Sequence, residues 1–397
     1  MRILVISQYF YPENFRINQL CLDLKARGHQ VTVLTGKPNY PKGEYFENYS
    51  FKKNEDEQWE GIQILRVPLR ARGRGSISLI RNYISFVYHA NRRIKKIKHG
   101  EFDIIYVFEV SPITVALPAI KIKKRTKIPI IMNVQDLWPE NIIAVTGINF
   151  RPAIILIDKL VNYIYKHCNL LLCASPSFVE KIERRTIDKK KIIYWPQYAS
   201  VEKKEAHFNM FNNNHFNIVF TGNIGEAQGL ELVIKAAKQL KNTSIRWHLI
   251  GEGRNRKELE KLVELEELQD YIKFYGFIKE EEIPNYLNNA SAALLILKPN
   301  PVFEMTIPAK LQTYLSCGIP ILGCVSGEAE HIIIESESGI VSKDVSTEGL
   351  VEVCRKFMKF NKNELINFRA NAIKYSDTYF NKEILLNKLD NYMEEIV

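Results

Sequence analysis

The stretch RILVISQYFYPENFRINQLCLDLKARGHQVTVLT, residues 2–35, decides the fold of the chain. Its two ends, residues 2–6 and 30–35, are short apolar runs typical of β-strands. An amphipathic pattern with helical spacing joins them over residues 15–27. A strand, a helix and a strand in this order predict a parallel sheet with helices packed against it.

The same alternation continues along the chain and then starts again. It lapses around residues 200–215, a polar segment rich in Lys, Glu and Asn, and it restarts at residues 216–221. The length of 397 residues also favours two domains. We therefore predict a first domain over residues 1–205, a second over 206–375, and a final helix over 376–397 that crosses back to the first domain. The further predicted strands are residues 62–67, 104–108, 130–134, 170–173 and 192–195 in the first domain, and 246–250, 272–275, 292–297 and 320–322 in the second.

The predicted fold class is α/β, with two Rossmann-like, doubly wound domains. Such sheets bind ligands beyond the carboxyl ends of their strands. In a tandem of two, those ends are expected to face one central cleft, which is where we predict the site.

Charge is unevenly distributed over the chain. Its formal net charge is +10, with +15 in residues 1–200 and −5 in residues 201–397. A basic first half suits an anionic partner, namely nucleic acid, an acidic bilayer surface or a phosphorylated acceptor. Solvated lysines without any role explain the same charge equally well.

Several classes of function are disfavoured by composition and by missing motifs. The six cysteines are scattered without metal-ligand spacing, which indicates a reduced, cytoplasmic protein. The apolar start reads as a first strand and not as a signal peptide, and no apolar run is long enough to span a membrane. Walker, zinc-protease, nucleophile-elbow and RNA-binding signatures are missing, so we expect no metal, no cofactor and no nucleic acid partner.

Residues 304–312, EMTIPAKLQ, precede an apolar helical pattern that ends at Gly318. Pro308 suits a first helical turn, and the amides from Thr306 to Lys310, Pro308 excepted, are then unpaired donors at the positive end of a helix. Lys310 adds a charge beside them, so this segment suits a diphosphate. Glu304 is placed to accept hydrogen bonds from sugar hydroxyls, and Gln312 to bond a ribose. An ordinary helix start with a solvated glutamate is the alternative.

The spacing from Glu304 to Gln312, followed by residues 317–320 (CGIP), resembles the E-x7-E signature of family 4 glycosyltransferases. The resemblance implies the GT-B fold. It also implies transfer of a sugar from a nucleotide diphosphate donor without a metal and with retained anomeric configuration. The second glutamate of the family, a ribose contact, is Gln312 here, so hydrogen bonding is kept and charge is lost.

A second stretch, residues 220–229 (FTGNIGEAQG), resembles the glycine-rich turn that faces the donor phosphates in this family. Gly222 and Gly229 match, whereas Asn223 and Gln228 stand where many members have Arg and Lys. The whole pattern is similar to a bacterial subgroup that builds capsule and O-antigen repeats, including aminosugar and fucosamine transferases. By position, Phe277 belongs to the stretch that reads the base.

Asp136 follows the predicted strand 130–134, so its carboxylate is expected to point into the cleft. Many family members have a His-Asp pair here, and Gln135 replaces the histidine. We predict that Asp136 bonds the acceptor hydroxyl or takes its proton. A helix N-cap is the equally weighted alternative for this aspartate. Trp138 is assigned to the acceptor site.

Three further residues of the first domain are candidates for acceptor binding. Arg16 opens the first helix and is available for an acceptor phosphate, or is merely solvated. Lys37 and Tyr40 lie in the turn-rich stretch KPNYPKG, which is an acceptor loop or a plain connection. Residues 76–99 read as a basic helix with an apolar side, which lies on an anionic bilayer or packs on the core.

These features predict a retaining, metal-independent transferase that moves a sugar from a UDP-sugar to a polyprenyl-diphosphate-linked saccharide. We expect it at the inner face of the cytoplasmic membrane, and we expect an N-acetylated aminosugar or deoxysugar as the donor sugar. The alternatives are a UDP-sugar epimerase of the same fold and an inactive scaffold at the membrane surface. The particular sugar, the linkage, the acceptor glycan and the oligomeric state leave no trace in the sequence.

Overall fold

The computed structural model describes residues 1–52, 56–73, 75–142, 150–185, 187–199, 210–212 and 214–397. The chain forms two compact units: unit 1 comprises Met1–Trp195 and Leu386–Val397, and unit 2 comprises Pro196–Leu385. The units divide between Trp195 and Pro196, whereas the predicted boundary lies in residues 200–209, outside the described residues.

Unit 1 is built on a sheet of eight strands in the order β3-β4-β2-β1-β5-β6-β7-β8. All neighbours pair in parallel except β3 and β4, which form an antiparallel edge hairpin. The central strands β5 and β6 are buried on both faces, as parallel sheets covered by helices require. The strands are β1 (Arg2–Ile6), β2 (Gln30–Thr35), β3 (Glu57–Trp59), β4 (Ile62–Arg66), β5 (Ile104–Glu109), β6 (Ile130–Val134), β7 (Leu170–Cys173) and β8 (Ile192–Tyr194).

Helices cover both faces of this sheet. Right-handed crossovers place α1 on one face and α2, α3, α4 and α5 on the other, because the strand order runs in opposite directions from β1. In agreement, α3 contacts both α2 and α4. The helices are α1 (Arg16–Ala26), α2 (Ser76–Arg93), α3 (Leu117–Thr126), α4 (Arg151–His167) and α5 (Pro176–Glu183).

Unit 2 repeats the design with a six-stranded, fully parallel sheet in the order β11-β10-β9-β12-β13-β14. Alternate residues of β9 face opposite layers: Ile218 and Phe220 pack in one apolar cluster, and Val219 packs in the other. The strands are β9 (Phe216–Thr221), β10 (Ile245–Ile250), β11 (Ile272–Gly276), β12 (Ala292–Ile296), β13 (Ile321–Cys324) and β14 (Gly339–Val341). The helices are α6 (Glu231–Gln239), α7 (Arg256–Leu265), α8 (Ile283–Asn288), α9 (Pro301–Glu304), α10 (Ala309–Ser316), α11 (Glu328–Glu335), α12 (Thr347–Phe357) and α13 (Lys362–Tyr379).

The last helix, α14 (Lys382–Ile396), begins in unit 2 and ends in unit 1. Its Asp390 receives hydrogen bonds from Arg27 Nε at 2.7 Å and from His29 Nε2 at 2.9 Å. These bonds attach the end of the chain to the end of α1. Within the part of the chain that the structure describes, no helix is long and apolar enough to cross a membrane.

Candidate active site

Each sheet has one point at which its strand order reverses. It lies between β1 and β5 in unit 1 and between β9 and β12 in unit 2. Doubly wound sheets bind ligands at such points, beyond the carboxyl ends of the strands. The loops that follow these four strands are therefore where the site residues are sought.

The loop after β9, Gly222 to Gly225, rests directly on the loop after β10. A Cβ atom on Gly251 would lie 1.8 Å from the carbonyl oxygen of Gly222, and one on Gly253 would lie 2.1 Å from that of Ile224. The Ile224 N–H also donates to the carbonyl of Glu252 at 2.8 Å. Only glycine permits this approach, so both glycines hold the loop after β9 in place.

Lys310 lies in the first turn of α10 and reaches back to the loop after β9. Its Nζ lies 4.1 Å from the centroid of the Phe220 ring and donates to Oε1 of Gln228. A Cβ atom on Gly222 would lie 3.5 Å from the same Nζ. The structure thus brings together three residues that the sequence assigned to the donor phosphates. Removal of water from this half-buried ammonium lowers the pKa of Lys310 to about 7.

The amino end of α10 is free of side-chain capping. Pro308 is its N-cap residue, one position before the predicted first turn, and it offers no side-chain acceptor. The first N–H groups of a helix have no partner within the helix, so those of Ala309 and Lys310 remain available as donors. Thr306 differs from the prediction, because its N–H donates to the carbonyl of Phe303 at 3.1 Å. Its hydroxyl donates to the carbonyl of Val302 at 2.8 Å.

Glu304 ends the short helix α9 and contacts the loop that leads into α11. Its Oε1 accepts a hydrogen bond from the Ser326 hydroxyl at 3.0 Å. A Cβ atom on Gly327 would lie 2.1 Å from the Glu304 carbonyl oxygen, so the loop needs glycine there. Ser326 and Gly327 were not predicted from the sequence, although both lie within three residues of the end of β13. They fix the position of Glu304.

Gln312 is buried inside unit 2, with 1% of its surface exposed. Its Nε2 donates to the carbonyl of Gln197 at 2.7 Å. Its Oε1 is buried and has no partner among the described residues. A ribose hydroxyl could therefore use only the oxygen of this amide, and the ribose contact stays a prediction.

The remaining predicted donor residues surround the same loop. Asn223 is exposed, and a Cβ atom on Gly225 would lie 2.7 Å from its Nδ2. Gly229 has a left-handed φ of 63° and lies beside Lys298. Phe277 follows β11 and is 72% exposed. Lys298, which the sequence analysis missed, follows β12 at the reversal point and pairs with Glu231 at 2.8 Å. Lys298 thus forms an ion pair, whereas Lys310 donates to a neutral amide.

In unit 1, Glu13 joins two loops that the sequence singled out. Its Oε1 accepts the N–H groups of Asn39 and Tyr40, each at 2.8 Å, and its Oε2 accepts that of Phe10 at 3.3 Å. Burial raises the pKa of Glu13 to about 7, although these three hydrogen bonds act to lower that pKa. Glu13 therefore attaches the loop after β1 to the loop after β2, a role that the sequence did not reveal.

The two loops expose different candidate residues. Tyr40 is 38% exposed and lies in an aromatic cluster, 5.8 Å from Tyr9 and 5.2 Å from Phe15 between ring centroids. Lys37 is only 2% exposed, so little of it reaches the surface. Arg16 is half-buried at the start of α1. Of these candidates, Tyr40 lines a cavity of about 210 Å³.

Asp136 lines the same cavity, as does Trp138. Burial raises the pKa of Asp136, and hydrogen bonds from Ser111 and Asn141 together with the charge of Arg72 act in the opposite direction. Trp138 is 5% exposed and its Nε1 donates to the Ser111 hydroxyl at 3.3 Å. A half-buried carboxylate with a raised pKa is suited to accept a proton from a hydroxyl group.

Glu109 is a second carboxyl group beside Asp136 and was missed in the sequence. It ends β5, is fully buried, and its Oε2 accepts the Asp136 N–H at 3.3 Å. Its Oε1 has no partner within the described residues. Burial, followed by the charge of Asp136, holds the pKa of Glu109 well above its usual range. Burial therefore favours the neutral form of this group, and only its acidic position at the end of a buried strand could have signalled it.

We expect Glu109→Gln to stabilise the protein relative to wild type as the pH rises. The folded-state pKa of Glu109 is raised, so the stability that it contributes is present below its unfolded pKa of about 4.3 and is lost as the pH increases. Glutamine keeps the shape and stays neutral. Thermal unfolding of both proteins at pH 4, 5.5 and 7 measures this difference. A stability difference that stays constant over this range would contradict a raised pKa of Glu109.

Known protein families match both units of the chain. A model described as Glycosyltransferase Family 4 matches residues 15–202, and one described as Glycosyl transferases group 1 matches residues 202–377. The chain is 22% identical to WcaI of Escherichia coli K12, named for colanic acid biosynthesis as a glycosyl transferase, over 98% of this chain and 99% of that protein.

Two solved structures share the fold over the whole chain. Sucrose-phosphate synthase from Thermosynechococcus elongatus is 14% identical, with a TM-score of 0.78 over 100% of this chain and 98% of that one. HepE of Anabaena, solved in complex with UDP, is 12% identical with a TM-score of 0.68 over 100% of both chains. At these identities the likeness establishes the fold alone, and it confirms the prediction of the GT-B fold.

Proposed function

We propose, from the premise that the chain belongs to the family 4 glycosyltransferases, that it transfers a sugar from a UDP-sugar bound by unit 2 to a lipid-linked saccharide bound by unit 1. One observation carries the proposal. The ammonium of Lys310 is drawn out of water between Phe220 and Gln228, beside the uncapped end of α10. A cation with a lowered pKa is costly unless an anion joins it, and a diphosphate supplies that anion.

UDP is the proposed nucleotide because a protein of the same fold was solved with UDP bound. In unit 2 the diphosphate would lie against the loop after β9, with Lys310 and the first N–H groups of α10 as donors. Phe277 would lie at the base, and Oε1 of Gln312 would accept from the ribose. Glu304, held by Ser326, would orient the sugar hydroxyls.

The proposed chemistry keeps the anomeric configuration, as the family resemblance implies. The bond between the anomeric carbon and the diphosphate oxygen breaks, and that carbon bonds to an acceptor oxygen on the same face. The leaving diphosphate gains negative charge, which Lys310 and the α10 amides stabilise without a metal. The acceptor hydroxyl loses its proton to Asp136.

The acceptor is proposed to be a polyprenyl-diphosphate-linked saccharide of a surface polysaccharide, capsule or O-antigen. The full-length similarity to a protein of colanic acid biosynthesis supports this class. We propose an N-acetylated aminosugar or a deoxysugar as the donor sugar, on the resemblance to that bacterial subgroup. Neither a metal nor a cofactor enters the proposed reaction.

The helix α2 supports a site at the inner face of the cytoplasmic membrane. It buries polar side chains, Asn82 and Ser85, and leaves apolar ones in solvent: Ile77 is 70% exposed and Ile84 is 63% exposed. The basic residues Arg81, Arg92, Lys95, Lys96 and Lys98 are exposed on α2 and just beyond it. An apolar stripe edged with cations suits an anionic bilayer surface.

We expect Ile84→Asp to weaken binding to vesicles that contain anionic phospholipid, while leaving folding intact. The substitution puts a negative charge into the exposed apolar stripe, and at 63% exposure it disturbs little packing. Co-sedimentation with vesicles measures the bound fraction. The matched control is Ile334→Asp, since Ile334 is 59% exposed in unit 2. Equal loss of binding in both variants would contradict a role for α2.

Incubation with labelled UDP-sugars and a bacterial membrane lipid extract tests the function. Transfer of label into lipid, with UDP released, is the expected result. Interconversion of UDP-sugars without transfer would instead indicate an epimerase of this fold. Vesicle binding without either reaction would indicate an inactive scaffold. The anomeric configuration of the product, read by NMR, tests retention.

A further inference from the structure

The cavity of unit 1 is lined by both polar and apolar side chains. The polar ones Asp136, Ser111 and Asn141 lie beyond the ends of β5 and β6. The apolar and aromatic ones are Tyr9, Phe15, Tyr40, Leu79, Ile80, Tyr83, Val110, Trp138 and Ile142.

Arg72 also lines this cavity, and no salt bridge to it is present among the described residues. Its backbone N–H donates to Oδ1 of Asn39 at 2.8 Å, which fixes the main chain. Its guanidinium carbon lies 5.5 Å from the centroid of the Tyr40 ring. The guanidinium is thus half-buried, lies over the Tyr40 ring and acts with its charge on Asp136, a position that suits an anionic group in the cavity.

Ile80 connects the cavity to the surface. It lines the cavity and is also 42% exposed, on the same helix as the exposed Ile77 and Ile84. Leu79 and Tyr83 continue the cavity wall along α2. A cavity of about 210 Å³ is too small for a whole lipid, so a lipid chain that starts there must leave along α2.

We infer that this cavity binds the junction of a prenyl diphosphate, with Arg72 on the phosphate and Leu79, Ile80 and Tyr83 around the first carbons of the lipid. The inference rests on the proposed function for its biological meaning, since a lipid-linked acceptor carries this junction. The parts of the acceptor follow the order of the residues in the cavity. The sugar lies toward Asp136, the phosphate at Arg72, and the lipid along α2 toward the exposed apolar stripe.

Binding of farnesyl diphosphate, measured by calorimetry with UDP in excess, tests the inference without requiring transfer. Farnesyl diphosphate should bind at least about tenfold more tightly than pyrophosphate or farnesol, because only farnesyl diphosphate contacts both Arg72 and the apolar side chains of α2. Arg72→Ala should weaken its binding about tenfold or more, and Arg72→Lys should weaken it less. Ile80→Asp should weaken binding of farnesyl diphosphate but not of pyrophosphate. Arg184→Ala, an exposed arginine of the same unit, should bind as wild type does.

Two results would overturn the inference. One is equal binding of farnesyl diphosphate to wild type, Arg72→Ala and Ile80→Asp. The other is equal binding of pyrophosphate and farnesyl diphosphate, which indicates a simple anion site. If Arg72→Ala fails to fold, the exposed Ile80→Asp still decides. If farnesyl diphosphate binds as inferred but the wild type transfers no sugar, the proposed function is contradicted and the inferred binding site still stands.

Discussion

Replacement of Lys310 by alanine is expected to lower kcat for sugar transfer about 100- to 1000-fold, the usual effect of removing one donor to a developing negative charge. Lys310 donates to Gln228 and lies over Phe220, next to the loop that meets the phosphates in the proposed complex. By the family resemblance, Asn223 and Gln228 stand where many members have Arg and Lys. The variant therefore loses the main positive charge at the leaving group.

Lys298→Ala is the matched control for this prediction. Lys298 lies beside Gly229 on the same loop system, but its charge is neutralised by Glu231 at 2.8 Å. We expect its effect on kcat to be far smaller. Equal losses in the two variants would show that general charge near the loop matters and that Lys310 has no special role.

The pH dependence of donor binding is a second test of the role of Lys310. Without a ligand, the pKa of Lys310 is about 7, lowered by burial. A bound diphosphate stabilises the charged form and raises that pKa, so binding takes up a proton above pH 7. The affinity of wild type for a UDP-sugar should fall as the pH rises from 7 to 9. The affinity of Lys310→Ala should be low and flat over this range.

Replacement of Asp136 by asparagine is expected to lower kcat about 10²- to 10⁴-fold, the range contributed by a positioned acid or base. Asparagine keeps the size of the side chain and an oxygen that can accept from Ser111 and Asn141. It cannot take the acceptor proton. Donor affinity should be unchanged, because the donor is bound by unit 2 in the proposed complex. Steady-state kinetics over donor and acceptor concentrations separate the two.

Asp188→Asn serves as the control, because Asp188 is an exposed N-cap whose oxygen accepts from Lys190, and asparagine caps equally well. Wild-type kinetics are expected for it. In the active wild type, kcat should fall as the pH drops through the raised pKa of Asp136. A kcat for Asp136→Asn within a few-fold of wild type would leave Asp136 with a structural role.

Most of the fold could be predicted because its strands are apolar runs bounded by polar turns. The bounds of β1, β2, β6, β7 and β9 agree with the prediction residue for residue. The edge strands β3 and β14 were missed, as each has three residues and neither is fully buried. The helices α9 and α11 were missed too. Short, partly exposed elements depend on tertiary neighbours and leave little periodic signal.

The site was harder to predict, because loops bring its residues together from distant parts of the chain. The place of Lys310 at a helix start could be predicted from the sequence. The acidic groups Glu109 and Glu13 could not, since nothing in their local sequence distinguishes a buried carboxyl group from a solvated one. Arg72 lies in a segment without helix or strand. Its importance is visible only in the structure, where it lines a cavity together with residues of α2 and lies over the Tyr40 ring.

A crystal structure of the protein with a UDP-sugar tests the central claim most directly. The account predicts the diphosphate within hydrogen-bond distance of Lys310 Nζ and of the Ala309 and Lys310 amides, with Glu304 facing the sugar hydroxyls. A UDP-sugar bound elsewhere, with the bond between Lys310 and Gln228 intact and the end of α10 empty, would contradict it.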